Sequence, residues 1–300
     1  MRNYRIHALY SIIFAGLFLL PLANADVVIH KEKSLYRNIV VKERAGQRCL
    51  LFSVKREQRN QTCMDLERPK RIVFPYVRMT LAGLLVNPAP KRVLMIGLGG
   101  GTLSNVLGEL YPDITMDLVE VDQAVVNVAR EFFDLKESER VKVHTVDGRV
   151  FARRAALKSV TYDLVILDAF TGEYIPEHLM TLEFLQDIGA VLAPGGVVVA
   201  NTFATSRLYD YESVTYEAAF PALLNLKMPG TGNRVIIASN RDFPDNKTLV
   251  QNAAQLTPTL ERFDVNIMRY VANMNREADW ARDVAPLTDQ FSPANLLRER

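Results

Sequence analysis

Apolar and polar positions follow two different patterns along the chain. Up to about residue 66 they form short runs of strand type. Tyr36–Glu43 and Arg48–Val54 read as strands joined by a turn at Ala45-Gly46, and Thr62–Leu66 follows a polar stretch from Lys55 to Gln61. From Phe74 to Leu85 the apolar residues are spaced for a helix beginning near Pro75, and Asn87-Pro-Ala-Pro90 breaks the pattern. Beyond that break, short apolar runs alternate with helical segments. Val93–Ile96, Leu118–Val121, Val141–Thr145, Tyr162–Leu167 and Val197–Asn201 are the predicted strands, and Asn233–Asn240 is a late one able to pair antiparallel. Strand and helix in alternation imply a parallel sheet covered on both faces. The organisation read from this is a small β-rich domain over residues 26–88 and an α/β domain over 89–300, ending in a polar loop and short turn from Asp283. There is no internal repeat and no low-complexity segment.

Composition changes this picture mainly at the start. Arg2 and Arg5 precede the apolar run Ala8 to Leu22, and Ala23-Asn24-Ala25 supplies a small-x-small cleavage site, so residues 1–25 are expected to be an export signal. An uncleaved membrane anchor is the alternative, although the run falls short of the roughly 20 apolar residues a spanning helix needs. No later segment is long enough to span. Removing the leader takes two of the 36 basic residues and leaves 34 against 34 acidic ones, and no basic block with interleaved aromatics occurs. Nucleic acid is therefore not the expected partner. The two cysteines, Cys49 and Cys63, invite a disulfide if the chain is exported, and the loop it would close corresponds to about 3 kcal/mol of stabilisation. No His or Cys stands at ligand spacing from either, so no metal is expected.

Candidate chemistry gathers where the first α/β strand ends. Between Ile96 and the helical run at Leu103, Val106, Leu107 and Leu110 lie Gly97, Gly99, Gly100 and Gly101. Such glycines permit positive φ and close ligand approach, and the following helix offers free N–H groups. The second strand puts Glu120 at its carboxyl end, with Asp122 after it. An acid about twenty residues past such a loop is placed to hold a ribose by its hydroxyls. Asp122 also suits the N-cap of the helix from Gln123 to Phe133. After the third strand come Asp147 and Gly148, fit either to accept from an adenine amine and make room for its ring or to cap a helix. After the fourth comes Asp168, opening a Gly- and Pro-rich loop through Thr171 to Pro176. In a sheet of this kind ligands gather outside the carboxyl ends of the strands, where every one of these residues falls.

With Leu94-Met-Ile-Gly-Leu-Gly-Gly-Gly, Val119-Glu-Val-Asp122, Asp147-Gly148, Tyr162-Asp-Leu-Val-Ile-Leu-Asp168 and Leu192-Ala-Pro-Gly-Gly196 in place, residues 34–203 resemble the spermidine synthase family, the polyamine aminopropyltransferases. The resemblance implies an S-adenosylmethionine-dependent methyltransferase-like Rossmann fold behind a small N-terminal β domain. It implies that Glu120 holds the ribose of a sulfonium nucleoside, that Asp147 and Gly148 hold its adenine, and that Asp168 takes a proton from the attacking amine while Tyr76 helps orient it. The chain departs from the family pattern at four places. Gly100 replaces an aspartate that grips the aminopropyl ammonium, Thr171 replaces the second aspartate of the strand-four loop, Tyr-His-Glu becomes Tyr76-Val77-Arg78, and a glutamine becomes Arg37. If Arg37 and Arg78 face the cleft, they favour an acceptor with a carboxylate or phosphate.

Three functions fit this reading. The first is aminopropyl transfer from decarboxylated S-adenosylmethionine to an amine. The second is methyl transfer from S-adenosylmethionine, whose carboxylate Gly100 would not repel. The third is non-catalytic binding of a nucleoside or polyamine. Each takes small molecules as partners and calls for a co-substrate rather than a permanently bound cofactor, and a homo-oligomer is left open.

Overall fold

The structure is a computed structural model that describes residues 26–54, 57–171 and 174–293; the expected export signal lies outside the described residues. It opens with four strands, β1 (Val27–Lys33), β2 (Asn38–Arg44), β3 (Gln47–Val54) and β4 (Glu57–Asp65), paired antiparallel in that order. The β2–β3 turn has Ala45 at φ 49° and Gly46 at φ 73°, the two-residue hairpin geometry that matches strand twist. Cys49 lies opposite Cys63 across β3 and β4, and the two are joined by a disulfide. Two features differ from the sequence reading: β1 is an additional strand, and residues 57–61 of the polar stretch belong to β4.

Helices α1 (Pro75–Thr80) and α2 (Gly83–Val86) replace the single expected helix. Gly83 comes so close to the larger sheet that a Cβ there would sit 2.4 Å from Val199 Cγ2. The larger unit then runs β5 (Arg92–Ile96), α3 (Thr102–Leu110), β6 (Thr115–Glu120), α4 (Gln123–Phe132), β7 (Val141–Thr145), α5 (Gly148–Leu157) and β8 (Tyr162–Leu167). It continues through α6 (Leu182–Ala190), β9 (Leu192–Phe203), α7 (Tyr209–Ala219), β10 (Ala222–Lys227) and β11 (Asn233–Ser239). The last elements are α8 (Asn246–Leu260), α9 (Met268–Val271) and β12 (Met274–Asn275).

Eight strands form one sheet in the order β12-β10-β11-β9-β8-β5-β6-β7. From β9 to β7 neighbouring strands are parallel, whereas β11 joins β9 antiparallel, as expected for the late strand, and β10 extends it. Alternate residues enter different cores, which explains the nearly unbroken apolar strands: Val93 and Met95 face one layer, Leu94 and Ile96 the other. Chain order reverses at β5, whose neighbours are β6 and β8, and this opens a crevice at their carboxyl ends. The N-terminal sheet is fixed beside that crevice by its alternating apolar face. Ile39, Val41, Leu50 and Phe52 pack on Ala124, Val125 and Val128 of α4 and on Phe133. No helix among the described residues is long and apolar enough to cross a membrane.

Candidate active site

The crevice is a cavity of about 260 Å³ between the N-terminal sheet and the strand tips. Its floor depends on Gly97, at φ 97°, where a Cβ would lie 2.2 Å from the carbonyl oxygen of Asp168. Only glycine lets the tips of β5 and β8 come together here. Gly148, the first residue of α5, likewise leaves room for the end of β5, since a Cβ there would meet Ile96 Cγ2 at 2.4 Å.

Three acids reach the cavity from three strand tips. Glu120 is buried, and its carboxylate accepts from the backbone amides of Leu98 (3.2 Å) and Asp122 (3.1 Å). Burial raises its pKa, opposed by the charge of Arg37 and by those two amides. Asp147 caps α5 by accepting from the Val150 amide at 3.0 Å and pairs through its other oxygen with Nε2 of His178 at 2.8 Å. Burial works against its charged form, but the Val150 amide and His178 outweigh it and hold the pKa below the usual carboxylate value. Asp168, at the tip of β8, is half-buried. Burial pushes its pKa up to about 7 against the opposing hydrogen bond from Asn201 Nδ2, 2.8 Å from Oδ1. A carboxylate poised near neutrality is suited to take a proton and give it up again.

Across the cavity, Tyr76 donates to the carbonyl oxygen of Gln61 at 3.2 Å, and burial together with the charge of Asp168 raises its pKa well above normal. Arg37 is nearly enclosed. Its Nη1 donates to the Phe170 carbonyl at 2.9 Å, its guanidinium lies 4.3 Å over the Phe52 ring, and Nε stands 3.7 Å from Asp122.

The cavity thus brings together Arg37, Tyr76, Gly97, Gly99, Glu120, Asp147, Gly148, Asp168 and Thr171. Four residues expected to line it do not. Arg78 turns outward and is clasped by Asp264, with Nη1 3.0 Å from Oδ2, so it offers no charge to an acceptor. Asp122 is the N-cap of α4, accepting from Ala124 at 3.1 Å and from Ser34 Oγ at 2.6 Å, and acts on the cavity through its backbone amide and charge on Glu120 and through Arg37. Gly101 is the left-handed N-cap of α3, packed against Leu135. Gly100 lies behind the wall, where a Cβ would meet Thr62 Cγ2 at 2.5 Å and the Phe133 ring at 3.0 Å. The space for an acidic side chain at this position is therefore filled. Sequence reasoning missed Asn201; its signal was a lone amide ending the apolar run Val197–Ala200 beside the strand that carries Asp168.

A glycine loop at the reversal point, an acid at the tip of the second strand and a half-buried acid at the tip of the fourth define an S-adenosylmethionine-methyltransferase-like α/β fold carrying a nucleoside-sized site. Within that class the chain belongs to the spermine/spermidine synthase family. The family's model, Spermine/spermidine synthase domain, matches residues 76–220. The chain is 51% identical over 276 residues to a polyamine aminopropyltransferase of Vibrio vulnificus, covering 91% of this chain and 92% of that protein. Among solved structures, spermidine synthase from Thermotoga maritima shares the fold with a TM-score of 0.60 at 21% identity, covering 82% of each chain. Human methyltransferase-like protein 13 in complex with SAH aligns with a TM-score of 0.58 at 25% identity, over 63% of this chain and 93% of that one.

Proposed function

We propose that this protein transfers the aminopropyl group of decarboxylated S-adenosylmethionine to an amine in polyamine metabolism. The observation that carries this is the pairing of the buried Glu120 and the half-buried Asp168 on opposite sides of the Gly97–Gly99 loop in one cavity. In this reading Glu120 accepts from the ribose hydroxyls and the Asp147-Gly148 corner receives the adenine. The acceptor nitrogen attacks the carbon next to the sulfonium, the carbon–sulfur electrons return to sulfur, and methylthioadenosine leaves as a neutral thioether. The proton shed by nitrogen goes to Asp168. Tyr76 and Arg37 close the N-terminal side, so that positioning of the two reactants supplies much of the acceleration. Both reactants are small molecules, the donor is consumed rather than retained, and a homo-oligomer is compatible with the arrangement.

The family membership and the 51% identical aminopropyltransferase support this chemistry. Methyl transfer from S-adenosylmethionine is a second reading, favoured by the blocked space at Gly100 and by the likeness to the methyltransferase. Export is proposed as well, supported by the Cys49–Cys63 disulfide, since such bonds persist in oxidising compartments. The deciding experiment supplies the oxidised protein with decarboxylated S-adenosylmethionine or S-adenosylmethionine and a panel of amines. Methylthioadenosine release with an aminopropylated amine is expected. S-adenosylhomocysteine release alone would replace the proposal with the second reading, and no product from either donor would leave binding.

A further inference from the structure

Behind Asp168 two carboxamides stand in series. Asn201, buried on β9, donates from Nδ2 to Asp168 Oδ1 at 2.8 Å, and its own Oδ1 accepts from Nδ2 of Asn233 at 3.0 Å. Asn233 begins β11, and the antiparallel register that places it opposite Phe203 brings its amide to the tip of β9. An ionised carboxylate only accepts hydrogen bonds. Asn201 must therefore show it nitrogen, which turns the amide oxygen away, and Asn233 answers that oxygen with its own nitrogen. With Asn233 removed, nothing in this series would oppose a turned-over Asn201 amide, whose oxygen pairs with a protonated Asp168 instead. Oδ2 of Asp168 has no hydrogen-bond partner among the described residues, so the series engages one oxygen and leaves the other for an incoming amine.

We propose that Asn201 and Asn233 are positioning residues for Asp168, an amide relay that fixes its carboxylate in the proton-accepting form with one oxygen kept for substrate. The inference rests on the role given to Asp168 above. The charged and titratable groups sharing its cavity are Tyr76 on α1, Tyr36 and Arg37 before β2, Glu120 on β6, Asp147 before α5 and His178 before α6. Of the side chains of described residues, the hydrogen bond to Asp168 comes from Asn201.

The test titrates Asp168 directly, by carbon NMR of protein labelled at the aspartate carboxyl carbon, with its signal assigned by its loss in Asp168→Asn. In Asn201→Ala the midpoint is expected to rise by about one unit or more, the effect of losing a hydrogen bond to a charged group. Asn233→Ala is expected to move it the same way by less, while affinity for methylthioadenosine stays within twofold. Should Asn201→Ala not fold, Asn233→Ala carries the test alone. Midpoints unmoved in the folded variants overturn the proposal and reduce both amides to sheet packing. No turnover enters this measurement, so failure of the aminopropyl reading appears separately, as absent product beside a shifted midpoint. Where turnover is present, the acid limb of kcat/KM shifts with the midpoint, which a packing defect would not produce.

Discussion

Replacing Asp168 by asparagine should stabilise the protein while abolishing transfer, and the gain should depend on pH. An aspartate titrates near 3.9 in an unfolded chain and at about 7 here, a difference of about three units, or about 4 kcal/mol at 1.36 kcal/mol per unit. Part of the side chain faces the open cavity, where water screens it, so roughly half of this, about 2 kcal/mol, is the working figure. The sign follows from proton counting. Between the two pKa values the native state holds a proton that the unfolded state has released, so stability falls as pH rises through this window, and the penalty is complete above about 7. Asparagine has the same shape, keeps an oxygen for Asn201 Nδ2 and cannot ionise. Urea unfolding of both proteins at pH 5 and pH 8 isolates the effect, because the other titrating groups are shared and cancel in the difference. About a third of the penalty is already in place at pH 5, so the variant's advantage should grow by about 1.3 kcal/mol between the two pH values. An advantage equal at both, or one larger at pH 5, refutes the reasoning and makes Asp168 an ordinary carboxylate.

Three other perturbations probe separate parts of the site. Glu120→Ala should weaken methylthioadenosine binding by about 1.5–3 kcal/mol in calorimetric titration, the value of a lost hydrogen bond to a charge; unchanged affinity removes Glu120 from ribose binding. Gly100→Asp should lower stability by about 1–3 kcal/mol, because the new side chain meets Thr62 and the Phe133 ring rather than the cavity; a melting temperature at or above the parent's, with tighter binding of decarboxylated donor, refutes this. Replacing Cys49 and Cys63 together by serine should cost about 3 kcal/mol by urea unfolding, given their sequence separation of 14; an unmoved midpoint makes the bond incidental.

Most of the parallel half was legible because β5, β8 and β9 are apolar runs buried on both faces, whereas β7, at the sheet edge, only alternates apolar and polar residues. Glycines 97 and 148 announced where backbones pass close, and acids following strands announced the crevice. β1 carried no such signal, since Val27-Val-Ile-His-Lys-Glu-Lys33 lies at the sheet edge and is largely exposed. β10, Ala222-Leu-Leu-Asn-Leu-Lys227, fits a helix as readily as a strand until β11 pairs with it. At the site, order along the chain predicted which strand tip each acid occupies but not the direction of side chains supplied by other segments. Arg78 was misread for that reason: its partner, Asp264, is distant in sequence. The Asn201–Asn233 contact depends on antiparallel register, which no local pattern specifies.

The sheet topology also bears on how the site is completed as the chain is synthesised. The half proposed to cradle the nucleoside, from β5 to the start of α5, is built from consecutive strand–helix units in which β5, β6 and β7 pair in chain order, so these strands can pair as soon as their residues emerge. The base half cannot. Asp168 waits for Asn201, and Asn201 for Asn233, which enters with a strand inserted between β9 and its own sequence neighbour β10. A chain halted before residue 233 would hold a nucleoside cradle beside a base whose amide support is still free to turn over. The carboxylate proposed as the base is thus equipped late in assembly, after the strand tips proposed to receive the nucleoside are in place.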